Sequence, residues 1–320
     1  MNNNYQESTD FKVMLSAKDL KVKYDYTLAL KIPKLDITTK VLGIVGHNGA
    51  GKSTLLKAIL GLLPSANGSI SCLCSANNTI LSSERDMSFC PESGSVFNDI
   101  PVEDYIKLWC RLKLRSNRAY FDVATEYIER LDLTNLLKKR GRELSKGQRR
   151  RVQTAIGFIT KPRLFLFDEP FDGLDVQRTR ELAELISEHS IHTSFLISSH
   201  RMDVIERVAD NLLVLNQGEV LASGEIGQVS SQLAGTTITV ASSVTADLSY
   251  RIQRALPGSY IGRSGNLWVI TGHNLNEDRI KSVFHEIDGK EVRTEISQPS
   301  LMDAMNFHLS LSSSSRSSTQ

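Results

Sequence analysis

Apolar and polar residues alternate along the first 40 positions of the chain. In segments 21–24 and 35–38 every second residue is apolar, which predicts antiparallel strands with one buried face. Two later runs, Val41–Val45 and Leu164–Phe167, are apolar almost throughout, as is typical of parallel strands buried on both faces. The pattern predicts an α/β fold with an antiparallel β subdomain.

Apolar residues recur at helical spacing in three segments between residues 46 and 163. One face of a first helix is formed by Leu56, Ile59, Leu60 and Leu63. Pro64 is expected to end that helix. Residues 102–139 show the same spacing and predict a helical subdomain over about 95–145. A further helix is predicted to begin at Ser145, with a buried face formed by Val152, Ala155, Ile156 and Ile159.

The chain changes character near residue 228. The elements that follow run strand, helix, strand, strand, helix, strand, helix, which is compatible with a small ferredoxin-like α+β domain. We expect an N-terminal tail over 1–11, a main domain over 12–225 and the small α+β domain over 226–309. The serine-rich segment 310–320 is predicted to be disordered.

Composition narrows the class of protein. The 320 residues are 40% hydrophobic and 23% charged, with net charge +2, which is typical of a soluble globular protein. No window reaches the roughly 18 to 20 apolar residues that cross a bilayer, and the polar start does not resemble a signal peptide. Cys72, Cys74, Cys90 and Cys110 form no CxxC pair, which favours reduced thiols in a cytosolic protein over a zinc site.

A glycine-rich segment joins the buried strand 41–45 to the first helix. It comprises Gly46, His47, Asn48, Gly49, Ala50, Gly51, Lys52, Ser53 and Thr54. Its glycines let the backbone wrap around a polyphosphate, and the helix N-terminus adds partial positive charge. Lys52 would reach the β- and γ-phosphates, and the Ser53 hydroxyl would ligate Mg²⁺. This segment predicts nucleotide binding.

Two acids and a histidine follow predicted buried strands. Asp168 and Glu169 come directly after run 164–167, at a carboxyl end where α/β sheets bind ligands. Because side chains alternate along a strand, we assign Asp168 to Mg²⁺ and Glu169 to the base that polarises the attacking water. His200 follows strand 193–197 and fits either a structural or a phosphate-contacting role.

Two other features each leave two interpretations open. Ser145 and Gln148 form a capping-box pattern, which explains a well-capped helix but also offers a second anion site at Ser145 and Gly147. Tyr24, or its neighbour Tyr26, either stacks on a nucleobase or packs within its strand.

Taken in order, these motifs resemble the ATP-binding subunits of ABC (ATP-binding cassette) transporters over about residues 12–225. GHNGAGKST resembles Walker A, LSKGQ the signature loop, RLFLFDEP Walker B, GLD the D-loop and SSH the switch histidine. Tyr24 resembles the A-loop aromatic that stacks on the base. A signature loop shortly before FDEP narrows a general P-loop NTPase to this family.

The resemblance implies a head-to-tail pair of cassettes, as a homodimer or a heterodimer, with ATP and Mg²⁺ held between them. The residues of one chain that would face the nucleotide of the other are Ser145, Gly147 and Gln148. Glu169 would act as general base, His200 would bind the γ-phosphate, and Asp175 would couple the two sites.

Two positions depart from the usual family pattern. Glu92 stands where most members have the Q-loop glutamine; it can act in catalysis and ligate Mg²⁺, but it cannot donate a hydrogen bond as an amide does. Lys146 replaces the first glycine of the signature and puts a cation near the γ-phosphate. A Pro-Glu Q-loop beside an appended C-terminal domain resembles the branch associated with export-type (ABC-2) permeases.

The expected function is Mg-dependent ATP hydrolysis that energises a separate integral membrane permease, with export as the direction and the inner face of the cell membrane as the location. One alternative is a soluble ABC ATPase acting on ribosomes or DNA, which the single Walker A and the absence of heptads disfavour. Another is a regulatory module that switches on ATP, which Glu92 keeps open. The basic run 138–151 lacks interleaved aromatics, so no nucleic-acid partner is expected.

Overall fold

The structure is a computed structural model that describes residues 11–63, 65–114, 123–243 and 249–316. The chain divides into two compact units, Met1–Ser223 and Gly224–Gln320. The strands that build the first unit are β1 (Val13–Tyr24), β2 (Thr27–Thr39), β3 (Val41–Val45), β4 (Ser65–Cys74), β5 (Met87–Cys90), β6 (Leu164–Asp168), β7 (Ser194–Ser199), β8 (Asn211–Asn216) and β9 (Glu219–Glu225). Its helices are α1 (Lys52–Ile59), α2 (Val102–Leu114), α3 (Thr125–Arg130), α4 (Lys146–Ile159), α5 (Val176–His189) and α6 (Met202–Val208).

The larger sheet of the first unit has the strand order β5-β6-β7-β3-β8-β9. The pairs from β5 to β8 are parallel, and every residue of β3, β6 and β7 is buried. Burial on both faces accounts for the apolar runs of β3 and β6, as the sequence predicted. Because β6, β7 and β3 are neighbours, the residues that follow them meet at one edge of the sheet.

Helix α4 packs on this sheet through aromatic side chains. The Phe158 ring lies 5.3 Å from Phe165 and 6.1 Å from both Phe167 and Phe195, and all four rings are buried. Gly157 makes the close approach possible, because a Cβ at this position would stand 1.9 Å from the Phe165 ring. The contact fixes α4 against the strand that carries the two predicted acids.

The smaller sheet has the order β2-β1-β4, and both of its strand pairs are antiparallel, which confirms the antiparallel prediction. The inward positions of β1 and β2 alternate with outward ones, and they include the fully buried Leu15, Leu20, Leu30 and Ile32. These side chains share one core with α1 and the larger sheet. The small sheet is thereby held beside the glycine-rich loop.

The second unit consists of α7 (Ile226–Ala234), β10 (Thr236–Ala241), α8 (Ser249–Ala255), β11 (Tyr260–Ser264), β12 (Leu267–Gly272), α9 (Glu277–Asp288), β13 (Arg293–Ser297) and α10 (Leu301–Arg316). Its antiparallel sheet has the order β11-β12-β10-β13. A separate core forms around Trp268 and Phe284 between the sheet and helices α8 and α9. From β10 onward the element order is the predicted one, but helix α7, which precedes β10, was not predicted. No helix in the described parts of either unit has the length and apolar content needed to cross a membrane.

Two predicted boundaries were wrong. Helix α1 ends at Ile59 rather than near Pro64, which lies outside the described residues. Gly61 adopts a left-handed conformation, its N–H binds the Ala58 carbonyl, and the Leu62 N–H binds the Lys57 carbonyl. These two bonds form a Schellman motif, which stops the helix before the proline does.

At the other end of the chain, α10 is helical through Arg316, where disorder was predicted from residue 310. The helix is anchored by Leu301, Ala304, Met305 and Phe307, which are buried. Once a helix is anchored, each added residue gains one backbone hydrogen bond, so serines continue it at little cost. Residues 317–320 lie outside the described residues.

Candidate functional site

The glycine-rich loop leaves β3 and enters α1 in a conformation that depends on glycine. Gly51, the residue before α1, has φ +103°, a left-handed conformation that disfavours other residues. At Gly46 a Cβ would stand 2.4 Å from the Leu215 carbonyl oxygen of β8. The loop is therefore pressed against the neighbouring strand, with Gly49 facing open space.

This loop lines a cavity of about 900 Å³. The cavity is lined by Tyr24, Thr27, Leu28, Ala29, Asn48, Gly49, Ala50, Gly51, Lys52, Ser53, Thr54, Glu92, Glu169, Asp172, His200 and Gln217. The structure therefore brings the phosphate loop together with the predicted base, the strand-end histidine and the Q-loop glutamate. Tyr24 lines the cavity, whereas Tyr26 does not and is fully exposed.

Lys52 is buried at the base of the loop, with 6% of its surface exposed. Its ammonium group donates to the carbonyl oxygen of Gly46 at 2.8 Å and to that of His47 at 3.3 Å. It also lies 3.2 Å from Oε1 of Glu169. Three internal acceptors thus hold the ammonium group where phosphate oxygens are expected, and they balance the cost of burying its charge.

Asp168, at the end of β6, is held by two hydroxyl groups. Its Oδ1 accepts hydrogen bonds from Ser53 Oγ at 2.9 Å and from Ser198 Oγ at 2.6 Å. A buried carboxylate beside a serine hydroxyl is an all-oxygen donor set, which suits Mg²⁺. Magnesium keeps several water and phosphate ligands of its own, so these two protein groups fit a Mg²⁺-nucleotide complex.

Glu169 is a buried side chain on a strained backbone. Its φ is +50°, in the left-handed region that a non-glycine residue seldom occupies. Its N–H donates to both the carbonyl and the hydroxyl oxygen of Ser198, each at 3.0 Å. Its Oε2 contacts the backbone N–H of His200 at 3.1 Å and the ring Nδ1 of His200 at 2.9 Å. The turn at Glu169 aims its carboxylate away from Asp168 and toward the cavity.

The predicted capping box at the start of α4 is confirmed. The Ser145 side chain accepts a hydrogen bond from the Gln148 N–H at 3.2 Å, and the Gln148 side chain accepts one from the Ser145 N–H at 2.9 Å. Ser145 and Gly147 are exposed, and a Cβ on Gly147 would meet no atom within 4 Å. Neither these residues nor Gln148 lines the cavity of their own chain.

Asp175 also lies outside that cavity. It caps α5, with its carboxylate accepting a hydrogen bond from the Arg178 N–H at 2.8 Å. It lines a separate cavity of about 460 Å³ between α3, α4 and α5. Within one chain, the D-loop aspartate is therefore a helix cap.

Glu92 and Lys146, the two departures from the family pattern, contact each other. The Lys146 ammonium lies 2.9 Å from Oε1 of Glu92, and this hydrogen bond lowers the pKa of Glu92 against the opposing effect of partial burial. The buried Arg150 donates to the Glu92 carbonyl oxygen at 3.1 and 2.7 Å and also to the Asp172 carbonyl oxygen. The Q-loop is thus bound to α4.

Sequence reasoning missed several residues that shape the site, among them Thr27, Leu28 and Ala29 of the cavity lining. Ser198 holds both acids, Arg150 fixes the Q-loop, and Asp172 and Gln217 line the cavity. The sequence could have indicated Ser198, because this residue belongs to the SSH motif that also contains His200. No sequence pattern indicated Gln217, because only the pairing of β3 with β8 brings the turn after β8 beside the phosphate loop.

A phosphate loop follows β3, a histidine follows the adjacent strand β7, and an acid pair stands at the end of β6, the next strand beyond β7. This arrangement defines a P-loop nucleotide-binding protein. The family model for ABC transporters matches residues 34–172. The ABC transporter ATP-binding protein YhaQ of Bacillus subtilis is 30% identical over 284 residues, which is 86% of this chain and 90% of that protein. The chain belongs to the ATP-binding proteins of ABC transporters.

Two further proteins are similar to this chain. The molybdenum import ATP-binding protein ModC of Saccharophagus degradans is 31% identical over 217 residues, 65% of this chain and 59% of ModC. A solved structure of an ATP-binding subunit of an ABC transporter has a TM-score of 0.62 at 27% identity, and the match covers 68% of this chain and 92% of that one. The family and the fold predicted from the motifs are confirmed, and ATP binding and hydrolysis are the activities of this family.

Proposed function

We propose that this chain is a Mg²⁺-dependent ATPase that works as one of two paired cassettes and energises a membrane permease. The observation that carries the proposal is the contact network at the cavity. Lys52 and His200 both contact the Glu169 carboxylate, and Ser53, which lines the same cavity as Glu169, donates a hydrogen bond to Asp168. A lysine that can bind phosphate, a carboxylate that can act as a base and two oxygen ligands suited to Mg²⁺ are thus close together.

The contacts also suggest how the residues exchange partners. Phosphate oxygens of ATP would replace the acceptors that now hold Lys52, including Glu169 Oε1. Glu169 would then take a proton from a water molecule as its oxygen attacks the γ-phosphorus and the bond to ADP breaks. Mg²⁺ held by Ser53 and Asp168 would supply charge neutralisation of the phosphates. The His200 ring would leave its contact with Glu169 and would then contact the γ-phosphate.

The exposed start of α4 supports the paired arrangement. Ser145 and Gly147 present a capped helix N-terminus that contacts no nucleotide cavity in their own chain. A helix N-terminus binds phosphate readily, and a second cassette would supply one. We infer that each ATP is held by the phosphate loop of one chain and by Ser145, Gly147 and Gln148 of the other.

The decisive test of the proposed activity is the Glu169→Gln variant. It keeps the size of the side chain but removes the base, so steady-state phosphate release should fall by roughly two to four orders of magnitude. Binding of a fluorescent ATP analogue should stay within about threefold of wild type. Unchanged phosphate release would remove Glu169 from the role of base.

A second surface supports the permease partner. A groove of about 690 Å³ lies between α1, the Q-loop and α2, and Leu62, Phe97 and Leu112 expose 62%, 57% and 61% of their surfaces there. Exposed apolar clusters of this kind mark protein interfaces. The Q-loop contributes Pro91 to this groove and Glu92 to the nucleotide cavity. We propose that a cytoplasmic segment of the permease docks here, at the inner face of the membrane.

Docking predicts that Phe97→Asp and Leu112→Asp will lower recovery of the permease with the tagged chain from detergent-solubilised membranes. The expected loss is at least tenfold, because a charge would be buried in an apolar contact. Ile191→Asp is the matched control, since Ile191 is 51% exposed and lies outside the groove. Equal recovery for all three variants would contradict docking at this groove.

For the direction of transport we propose export. The support is the Pro-Glu Q-loop together with the appended second unit, which resemble the ABC-2 branch. The similarity to an import protein leaves the direction to a direct assay. ATP-driven accumulation of a candidate substrate in inverted membrane vesicles would support export, and accumulation only in right-side-out vesicles would contradict it.

A further inference from the structure

Glu92 and Lys146 are 54 positions apart, and each replaces an uncharged residue of the usual family pattern. Their side chains form an ion pair with 2.9 Å between Lys146 Nζ and Glu92 Oε1. The pair is half exposed, with 58% of the lysine and 50% of the glutamate side chain accessible. The glutamate also lines the nucleotide cavity, so the pair joins that cavity to the first residue of α4.

Each charge in this pair offsets an unfavourable effect of the surroundings on the other charge. Without Lys146, the Glu92 carboxylate would lose the hydrogen bond and the positive charge that lower its pKa against the opposing effect of partial burial. Without Glu92, Lys146 would place a cation at a helix N-terminus, where the helix dipole disfavours positive charge. Substituting either residue alone is therefore less favourable than substituting both.

The backbone beneath the pair is already fixed by a second cation. Arg150 lies one helical turn after Lys146, on the same side of α4, and its guanidinium donates twice to the Glu92 carbonyl oxygen. Arg150 is buried, with 6% of its surface exposed. Arg150 thus holds the main chain of the Q-loop, and Lys146 holds its side chain.

We propose that Lys146 is a positioning residue for Glu92: its ammonium group holds the carboxylate at the rim of the nucleotide cavity and binds the first turn of α4 to the Q-loop of the same chain. The inference deepens the proposed ATPase function and rests on it. It assigns one role to both departures from the family pattern, since the lysine makes a carboxylate acceptable where an amide is usual.

The test is a double-mutant cycle with Glu92→Gln, Lys146→Met and the double variant, together with Lys146→Arg. The first readout is hydrogen–deuterium exchange of the nucleotide-free chain, which does not depend on catalysis. Lys146→Met should speed exchange of the amides at 92–95 and 145–149 by about two- to fivefold, the scale of an exposed ion pair. The double variant should exchange no faster than Lys146→Met, and Lys146→Arg should restore the wild-type rate.

The second readout separates kcat from KM for ATP. Lys146→Met and Glu92→Gln should each lower kcat by about two- to fivefold with KM unchanged, and the double variant should recover most of the loss. The matched control is Glu277→Gln with Lys281→Met, a Lys–Glu pair of 2.7 Å in the second unit, which should leave kcat unchanged.

The positioning role would be overturned if, in both readouts, the fold-change of the double variant equalled the product of the fold-changes of the two single variants. Failure of the proposed ATPase function would look different, because wild type would release no phosphate while the exchange cycle could still show coupling.

Discussion

Ser198 is the side chain that binds both acids at the end of β6, the side chain of Asp168 and the backbone of Glu169. Its buried hydroxyl donates to Asp168 Oδ1 and accepts from the Glu169 N–H. The sequence predicted the division of roles between Asp168 and Glu169 from strand alternation alone. It did not predict the left-handed turn at Glu169, because that turn depends on pairing between β6 and β7, 30 residues apart.

Replacing this hydroxyl predicts a loss of both stability and activity. Ser198→Ala leaves a buried carboxylate with one hydrogen bond fewer, which should cost about 1–3 kcal/mol of unfolding free energy. It also removes one of the two hydrogen bonds that hold the Glu169 N–H, so the turn at Glu169 is held less firmly and kcat for ATP should fall about tenfold. The measurements are urea unfolding and phosphate release.

Ser194→Ala is the control for that prediction. Ser194 is equally buried in the same strand, but its hydroxyl binds the Thr39 carbonyl oxygen at 3.4 Å, away from the acids. We expect its kcat to equal that of wild type. A Ser198→Ala variant with wild-type kcat would show that the hydroxyl does not position either acid.

The Glu92–Lys146 contact marks the limit of prediction at this scale. Both residues stood out in the sequence, each as a departure from its motif. Their contact depends on how the Q-loop folds against α4, and no local pattern encodes it. The sequence also left open whether Tyr24 or Tyr26 faces the nucleotide. In the structure Tyr24 lines the cavity and Tyr26 does not.

Helix α4 is the element that joins the chemistry to the core. Its start at Ser145 and its buried face at Val152, Ala155, Ile156 and Ile159 were predicted and are confirmed. These features are local, so a single sequence encodes them. The end of α1 was mispredicted because two signals compete there, and the Gly61 motif precedes the proline.

Substitution of two glycines of α4 by alanine should affect stability very differently. Gly157→Ala places a methyl group 1.9 Å from the Phe165 ring, and this overpacking should cost about 1–3 kcal/mol of unfolding free energy. Gly147→Ala meets no atom within 4 Å, so stability should stay within about 0.5 kcal/mol of wild type. Urea unfolding of both variants tests the pair, and equal stability would contradict the packing described for α4.

Among the described residues, the core cluster of the first unit around Leu15 and Leu30 and that of the second unit around Trp268 and Phe284 are separate. Most elements of both units followed from the periodicity of the sequence, but the short helices α6 and α7 did not. The strand order of the larger sheet did not, because β3 lies between strands that come more than 140 residues later. Long-range pairing of that kind is set by the fold as a whole.

The two tryptophans allow the unfolding of the two units to be followed one at a time. Trp109 lies in α2 of the first unit and Trp268 is buried in the second, and the chain has only these two. In single-tryptophan variants, Mg-ATP should raise the denaturation midpoint reported by Trp109, because a ligand stabilises the unit that binds it. The midpoint reported by Trp268 should not move. Equal shifts at both tryptophans would show that the units unfold together.

The central claim is that ATP is held between two chains, by the phosphate loop of one and the signature helix of the other. The most direct measurement is a structure of the Glu169→Gln variant with Mg-ATP. The account predicts hydrogen bonds from Ser145 Oγ and the Gly147 N–H to the γ-phosphate bound at Lys52 of the partner chain. A signature helix that faces solvent in every protomer, with ATP bound, would contradict it.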